Sequence, residues 1–412
     1  MTSVSERIAW HLLAAALSAA FLSLSAPAGS EEMPQSLAEA QRMESENSLP
    51  LTDLFSTALA PQRSKAGDLL AHETYRGYAV PAGVNAQRII YHSQDAEGHD
   101  VTASAVVLTP PGQPPKEGWP VIVWAHGTSG VARQCAPSLM KDLYYGHEGL
   151  FEFLAAGFAV VAVDYHGLGT PGPHQYVDKV AQAHDVIYAV PAARAAEPAL
   201  GRKWVVDGHS QGGLAAWGTA ELESARRDPD YLGAVSVAGA LRLHDLLAHL
   251  RATPGVGFYL VFMAYGIHAR FPEFEPADML TATAMGSYAM VTAQGCWYAG
   301  YAAYLEVSGK SMLNLGWDGN PWVQRYFKEN ALGEQPIGGP LLVIAGEGDT
   351  TVPIGDARAL VGAACKAGMA VSFRSYPGLD HDPTMEQSVP DQLAWIKDRF
   401  AGKPAGRSCP TS

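Results

Sequence analysis

The chain has 412 residues, 48% of them hydrophobic and 17% charged, which is ample for a large buried core and excludes a mainly disordered protein. Acidic residues outnumber basic ones 41 to 28, and with no basic stripe and no zinc-finger spacing, nucleic acid is not an expected partner. The acidic balance favours solubility and names no substrate.

The first thirty residues differ from the rest. Arg7 precedes an apolar stretch from Leu12 to Leu24, and small residues including Ala26-Pro27-Ala28 follow. This order predicts an export signal over 1–28, cut close to Ala28, with Glu6 diluting its positive end. The alternative is an apolar helix or short anchor, but the stretch is too short to span a bilayer comfortably. The chain is therefore expected to be secreted or periplasmic, with no stable transmembrane association. Cysteine usage points the same way: Cys135, Cys296, Cys365 and Cys409 are far apart and form no C-x-x-C, which argues against a redox pair and a zinc knuckle. Of the three possible pairings we favour Cys135 with Cys296 and Cys365 with Cys409, the first tying a loop to a later inserted segment and the second tying down the tail. Four separate buried thiols remain the alternative.

After a polar lead-in over 30–64, expected to wrap the body, apolar or alternating runs predict strands at 85–92, 101–108 and 119–125. A helix near 149–156, a strand at 158–163, a helix near 180–196, a strand at 204–206, a helix from Gly212 and a strand at 233–238 come next. Buried strands alternating with helices predict an α/β fold with a mostly parallel sheet. The rhythm then breaks. From 241 to 339 the chain is rich in aromatic and small residues, as in Trp297-Tyr298-Ala299-Gly300-Tyr301, which predicts an inserted helical cap. Its aromatics either pack on the body or line an apolar acyl pocket. Strands at 341–345 and 370–376 and a final helix near 389–400 complete the series. The predicted organisation is a signal over 1–28, a core in two parts over 29–240 and 340–412, and the cap between them.

The most informative run is Gly208-His209-Ser210-Gln211-Gly212-Gly213, between an apolar strand and a small-residue helix. A chain that leaves a strand and enters a helix within two residues strains the apex, and Gly208 and Gly212 remove side chains that would collide across it. The turn presents Ser210 as a nucleophile and aims the Gln211 backbone N–H at the same space. A serine hydroxyl needs a base, itself held by an acid. The strand at 341–345 runs into Gly346-Glu347-Gly348-Asp349, and the next strand into Gly378-Leu379-Asp380-His381. This gives Asp349 as the orienting acid, with Glu347 as its alternative, and His381 as the base, its imidazole expected to be exposed. His209 is read as structural or as a pocket residue, and Asp164, at an earlier strand end, as a stabiliser of its loop. His126-Gly127-Thr128 follows a central strand and supplies the second oxyanion donor, the Thr128 N–H. Such parts perform ester hydrolysis through an acyl-enzyme and need neither metal nor organic cofactor; the chain carries no H-E-x-x-H, no dinucleotide glycine fingerprint that opens a helix directly from a strand, and no complete G-x-x-x-x-G-K-[ST] phosphate loop.

These motifs, with Cys135-Ala136-Pro137-Ser138 and the run from Gly346 to Pro353, resemble those of the secretory lipase family over about 51–400. The resemblance implies an α/β-hydrolase fold, serine carboxylester hydrolysis, a triad of Ser210, Asp349 and His381, a cap between the sixth and seventh core strands, and a disulfide like Cys135–Cys296. Yeast members often carry an acidic residue where this chain has Thr128; a backbone donor survives that change. The expected partner is an ester or lipid with an apolar acyl group, triacylglycerols within its range. A secreted peptidase or amidase and a catalytically silent binding protein are the rival readings.

Overall fold

The computed structural model describes residues 33–57, 64–144 and 146–409. The export signal expected over 1–28 lies outside them. Within the unit Gln35–Ser412, a nine-stranded sheet runs through the body in the order β1-β2-β3-β5-β4-β6-β7-β8-β9. The strands are β1 Leu69–Thr74, β2 Asn85–Gln94, β3 Asp100–Thr109, β4 Trp119–Ala125, β5 Ala159–Val163, β6 Leu200–His209, β7 Tyr231–Val237, β8 Leu341–Gly346 and β9 Val371–Tyr376. Strands β1 to β3 pair antiparallel, β3 meets β5 antiparallel, and every pair from β5 to β9 is parallel.

Alternation explains why the central strands read as continuous apolar runs. Val121, Val123 and Ala125 of β4 point into one core, shared with Val186 and Ile187 of helix Lys179–Ala196 and with Leu214 of helix Gln211–Arg226. Ile122 and Trp124 point into the other, shared with Met385, Val389 and Ile396 of helix His381–Phe400. Both sheet faces are covered, so polar residues have no face to occupy. Such a sheet leaves its loops at the carboxyl edge of the parallel strands as the place for chemistry.

The structure adds elements the sequence did not announce. Strand β1 is one of them, a half-exposed edge strand bulged between Leu69 and Ala71. The helix expected near 149–156 shrinks to Phe151–Ala155, preceded by one π turn at Gly146–Leu150. The last helix begins at His381, eight residues before the expected start. Pro383 falls in its first turn, where a missing N–H has no helical acceptor to lose.

Between β7 and β8 the chain forms an inserted helical region, its longer helices being Leu243–Ala252, Phe258–Arg270 and Pro321–Glu329. This is the sixth-to-seventh interval once β1 is left uncounted. Phe258 stands edge-on to Trp297 at 5.3 Å and to Phe262 at 5.7 Å, and Trp297 stacks on Tyr301. Two of the ties between this region and the rest meet at Cys296. Cys135 is joined to Cys296. In the polar lead-in, helix Leu37–Asn47 lends Glu44, whose carboxylate accepts the N–H groups of Cys296 and Ala299, the latter at 2.8 Å. Cys365 is joined to Cys409 at the tail. Among the described residues no helix is long and apolar enough to cross a membrane.

Candidate active site

Strand β6 ends at His209 and helix Gln211–Arg226 begins two residues later, so Ser210 alone makes the turn, at φ 56° and ψ −115°. A non-glycine residue held there costs about 1–3 kcal/mol and persists only where its surroundings over-determine it. Here the Ser210 N–H donates to the Val237 carbonyl at 2.9 Å, and the Ser210 carbonyl accepts from Gly213 at 3.0 Å and Ala240 at 3.1 Å. The flanking glycines permit the bend. A Cβ on Gly208 would lie 2.2 Å from the Gly212 carbonyl oxygen, and one on Gly212 only 1.8 Å from that of Ala125. Neither backbone can yield without lifting the start of helix Gln211–Arg226 off β4 and β6, so Gly212→Ala is expected to destabilise the protein by about 4 kcal/mol or more. Denaturant unfolding checks this; a midpoint near that of the unaltered protein would refute it.

Asp349 sits in the turn after β8. Its Oδ1 accepts the N–H groups of Thr351 at 2.9 Å and Val352 at 2.7 Å, and its Oδ2 accepts from His381 Nδ1 at 2.8 Å. The carboxylate is thus fixed from two sides. Glu347, the alternative acid, instead bonds Arg358 and Ser375. The His381 imidazole is buried, 7% exposed, and not exposed as expected from sequence. The ring lies over His209, with centroids 4.6 Å apart, and opens a helix whose N-cap, Asp380, is held by Thr350. Burial disfavours the imidazolium, yet the charge and hydrogen bond of Asp349, with Asp382 and Asp380 beyond, raise its pKa from 6.5 to about 9. Among the described residues His381 Nε2 is buried with no hydrogen-bond partner, the Ser210 hydroxyl included; such bonds often tighten only when substrate arrives. His209 is fully buried and kept neutral by that burial, with the charge of His381 adding to the effect.

Thr128 and Gln211 line one cleft together with Ser210. Two tyrosines that sequence reasoning missed hold Thr128: Tyr176 bonds its side-chain hydroxyl at 2.7 Å, and the Tyr144 hydroxyl donates to its carbonyl. They come from separate loops, and no local motif announces them. The cleft is walled by Leu243, Leu246, Leu250, Tyr259 and Met263 of the inserted region. The leucines recur at helical spacing on Leu243–Ala252, a signal readable in the sequence. Tyr259 joins the cleft to the inserted aromatics: it lines the cleft, stacks on Phe258 and accepts the Trp297 indole N–H at 2.8 Å. Asp164 is away from the cleft chemistry. It accepts from Ser104 at 2.6 Å and from the Ser138 N–H at 2.8 Å, and burial lifts its pKa to about 6 against those bonds. For metals, His209, His381 and Asp382 bring ligand atoms within 4.8 Å of one another, as do Asp95, Glu97 and His99.

A mostly parallel sheet with a strained serine turn and an acid–histidine pair at its carboxyl edge defines the α/β-hydrolase class. The sequence profile described as secretory lipase matches residues 145–408, and the chain belongs to that family. A secreted triacylglycerol lipase of Malassezia globosa is 24% identical over 357 residues, 79% of this chain and 73% of that protein. A probable inactive lipase of Mycobacterium tuberculosis is 23% identical over 345 residues, with 79% and 76% covered. Among solved structures, Candida antarctica lipase A superposes with a TM-score of 0.76 at 17% identity, covering 88% of this chain and 89% of that one. The rice cell wall degrading esterase LipA of Xanthomonas oryzae gives 0.67 at 19% identity, with 82% and 98% covered. Family and fold together make the chain an enzyme of the serine esterase and lipase type.

Proposed function

We propose that the protein hydrolyses esters with apolar acyl groups, through an acyl-enzyme on Ser210. The observation that carries this reading is the Asp349–His381 pair, bonded at 2.8 Å, packed on the residue that precedes the strained serine. His381 Nε2 takes the proton as Ser210 Oγ attacks the ester carbonyl, and Asp349 stabilises the imidazolium that forms. The N–H groups of Thr128 and Gln211 receive the negative oxygen. As the tetrahedral intermediate collapses, the C–O bond to the alcohol breaks and His381 returns the proton to it. Water, deprotonated by His381, then attacks the acyl-enzyme; the acid leaves and Ser210 regains its hydrogen. No step calls for a metal or organic cofactor.

The cleft supports an apolar acyl group: its walls include leucine, methionine and tyrosine. The Malassezia relative is named for triacylglycerols; esters of that kind fall within the proposal. The apolar N-terminal stretch and two disulfides favour a secreted or periplasmic protein, with 1–28 as its signal and 241–339 as a cap over a core formed by 29–240 and 340–412. A series of p-nitrophenyl acyl esters, run beside aminoacyl and dipeptidyl anilides, tests the chemistry. The esters are expected to turn over and the anilides to be poor substrates; preferential anilide cleavage would favour a peptidase or amidase instead.

A further inference from the structure

Behind the cleft wall, a row of buried polar groups runs from Gln211 into the body, and the chemistry above uses only its first member. His174 Nδ1 lies 3.0 Å from the His166 carbonyl. A carbonyl only accepts, so that nitrogen carries the proton. Burial, followed by the charge of His166, holds His174 well below the ordinary imidazole range. The ring is therefore neutral, and its Nε2 is a bare acceptor. The Gln211 side-chain N–H donates to it across 3.1 Å, which also fixes the orientation of that amide: reversed, it would set oxygen against a lone pair. The anchor continues inward. His166 Nδ1 and the His166 N–H both donate to Asp185 Oδ2, at 2.8 and 2.9 Å, and the Ser93 hydroxyl donates to Asp185 Oδ1 at 2.5 Å. All these residues are buried.

Gln211 is the first residue of its helix, and no side chain caps that end. Its backbone N–H shares a peptide plane with the Ser210 carbonyl, which Gly213 and Ala240 hold; the anchor on its own side chain acts at the Cα end of that plane. We infer that His174 is a positioning residue for the oxyanion site, holding Gln211 in one rotamer through the Gln211–His174 bond and so aiming the Gln211 backbone N–H at the carbonyl under attack. The inference rests on the ester-hydrolase reading. A donor contributes to the transition state only if it is aligned with the developing charge, so a slack Gln211 costs turnover rather than binding.

The test compares variants by steady-state hydrolysis of a short p-nitrophenyl ester and by the rate of inactivation with a fluorophosphonate. His174→Leu removes the acceptor and is expected to lower kcat about tenfold with KM unchanged, slowing inactivation in parallel. His174→Gln places an acceptor near the position of Nε2 and should recover most of the loss. Gln211→Met should match His174→Leu, and the double variant should be no worse than either, because both break one bond. An unchanged kcat in His174→Leu, a loss confined to KM, or losses that multiply in the double variant would overturn the inference. If His174→Leu does not fold, His174→Gln against Gln211→Met carries the same comparison. Absence of turnover and labelling in the unaltered protein would instead overturn the ester-hydrolase reading and this inference with it.

Discussion

Replacing Ser210 with alanine is expected to abolish covalent labelling by a fluorophosphonate and to lower ester turnover about a millionfold, the scale on which a serine nucleophile and its base act as one unit. The fold should survive. The turn is held by backbone bonds from Val237, Gly213 and Ala240, not by the serine side chain, and alanine at φ 56° is strained to about the same degree as serine. A catalytically silent binding protein predicts no labelling even before the substitution. Labelling that persists in S210A, measured by intact-protein mass, would move the nucleophile to another residue.

Asp349→Asn is expected to lower kcat/KM about ten-thousandfold near neutral pH, because the amide cannot balance the imidazolium and favours the wrong tautomer of His381. The pH dependence carries a second signature. The base must be neutral to accept a proton, and its folded pKa is about 9, so kcat/KM of the unaltered protein should rise through the neutral range with its midpoint near pH 9. Loss of the Asp349 charge leaves burial as the dominant influence, and burial lowers the pKa, so the limb of D349N should move to lower pH. Stability moves with the same groups. Raised above its ordinary 6.5, His381 lends stability that is complete below about pH 6.5 and is lost as pH climbs through about 9. The gap in unfolding free energy between the two proteins should therefore narrow on the alkaline side. A limb midpoint that ignores the substitution would show that another group sets it.

The central fold was legible because strands buried on both faces cannot hide: β4, β5, β7 and β8 are short apolar runs closed by turn residues. The elbow was legible for a steric reason, two glycines at positions where a Cβ would meet a carbonyl oxygen. Asp349 and His381 followed from strand ends alone. What escaped is tertiary. Strand β1 is short and half exposed, and its partner, β2, lies eleven residues on across a turn, so no alternating core pattern marked it. Pro383 and Pro390 masked the first turns of helix His381–Phe400. The burial of His381 depends on His209, brought over it from another strand, and the support of Thr128 on tyrosines 16 and 48 residues away. The pairing favoured from the sequence, Cys135 with Cys296 and Cys365 with Cys409, is the one the structure has.

Glu44 gives the polar lead-in a purpose that its composition conceals. By gripping the amides at the start of Trp297–Ala303, beside the Cys135–Cys296 link and the Trp297 N–H that reaches the Ser129 carbonyl, helix Leu37–Asn47 braces the inserted region, whose helix Phe258–Arg270 lends Tyr259 and Met263 to the cleft wall. A chain cut back to its first strand would keep Ser210, Asp349 and His381 and lose that brace.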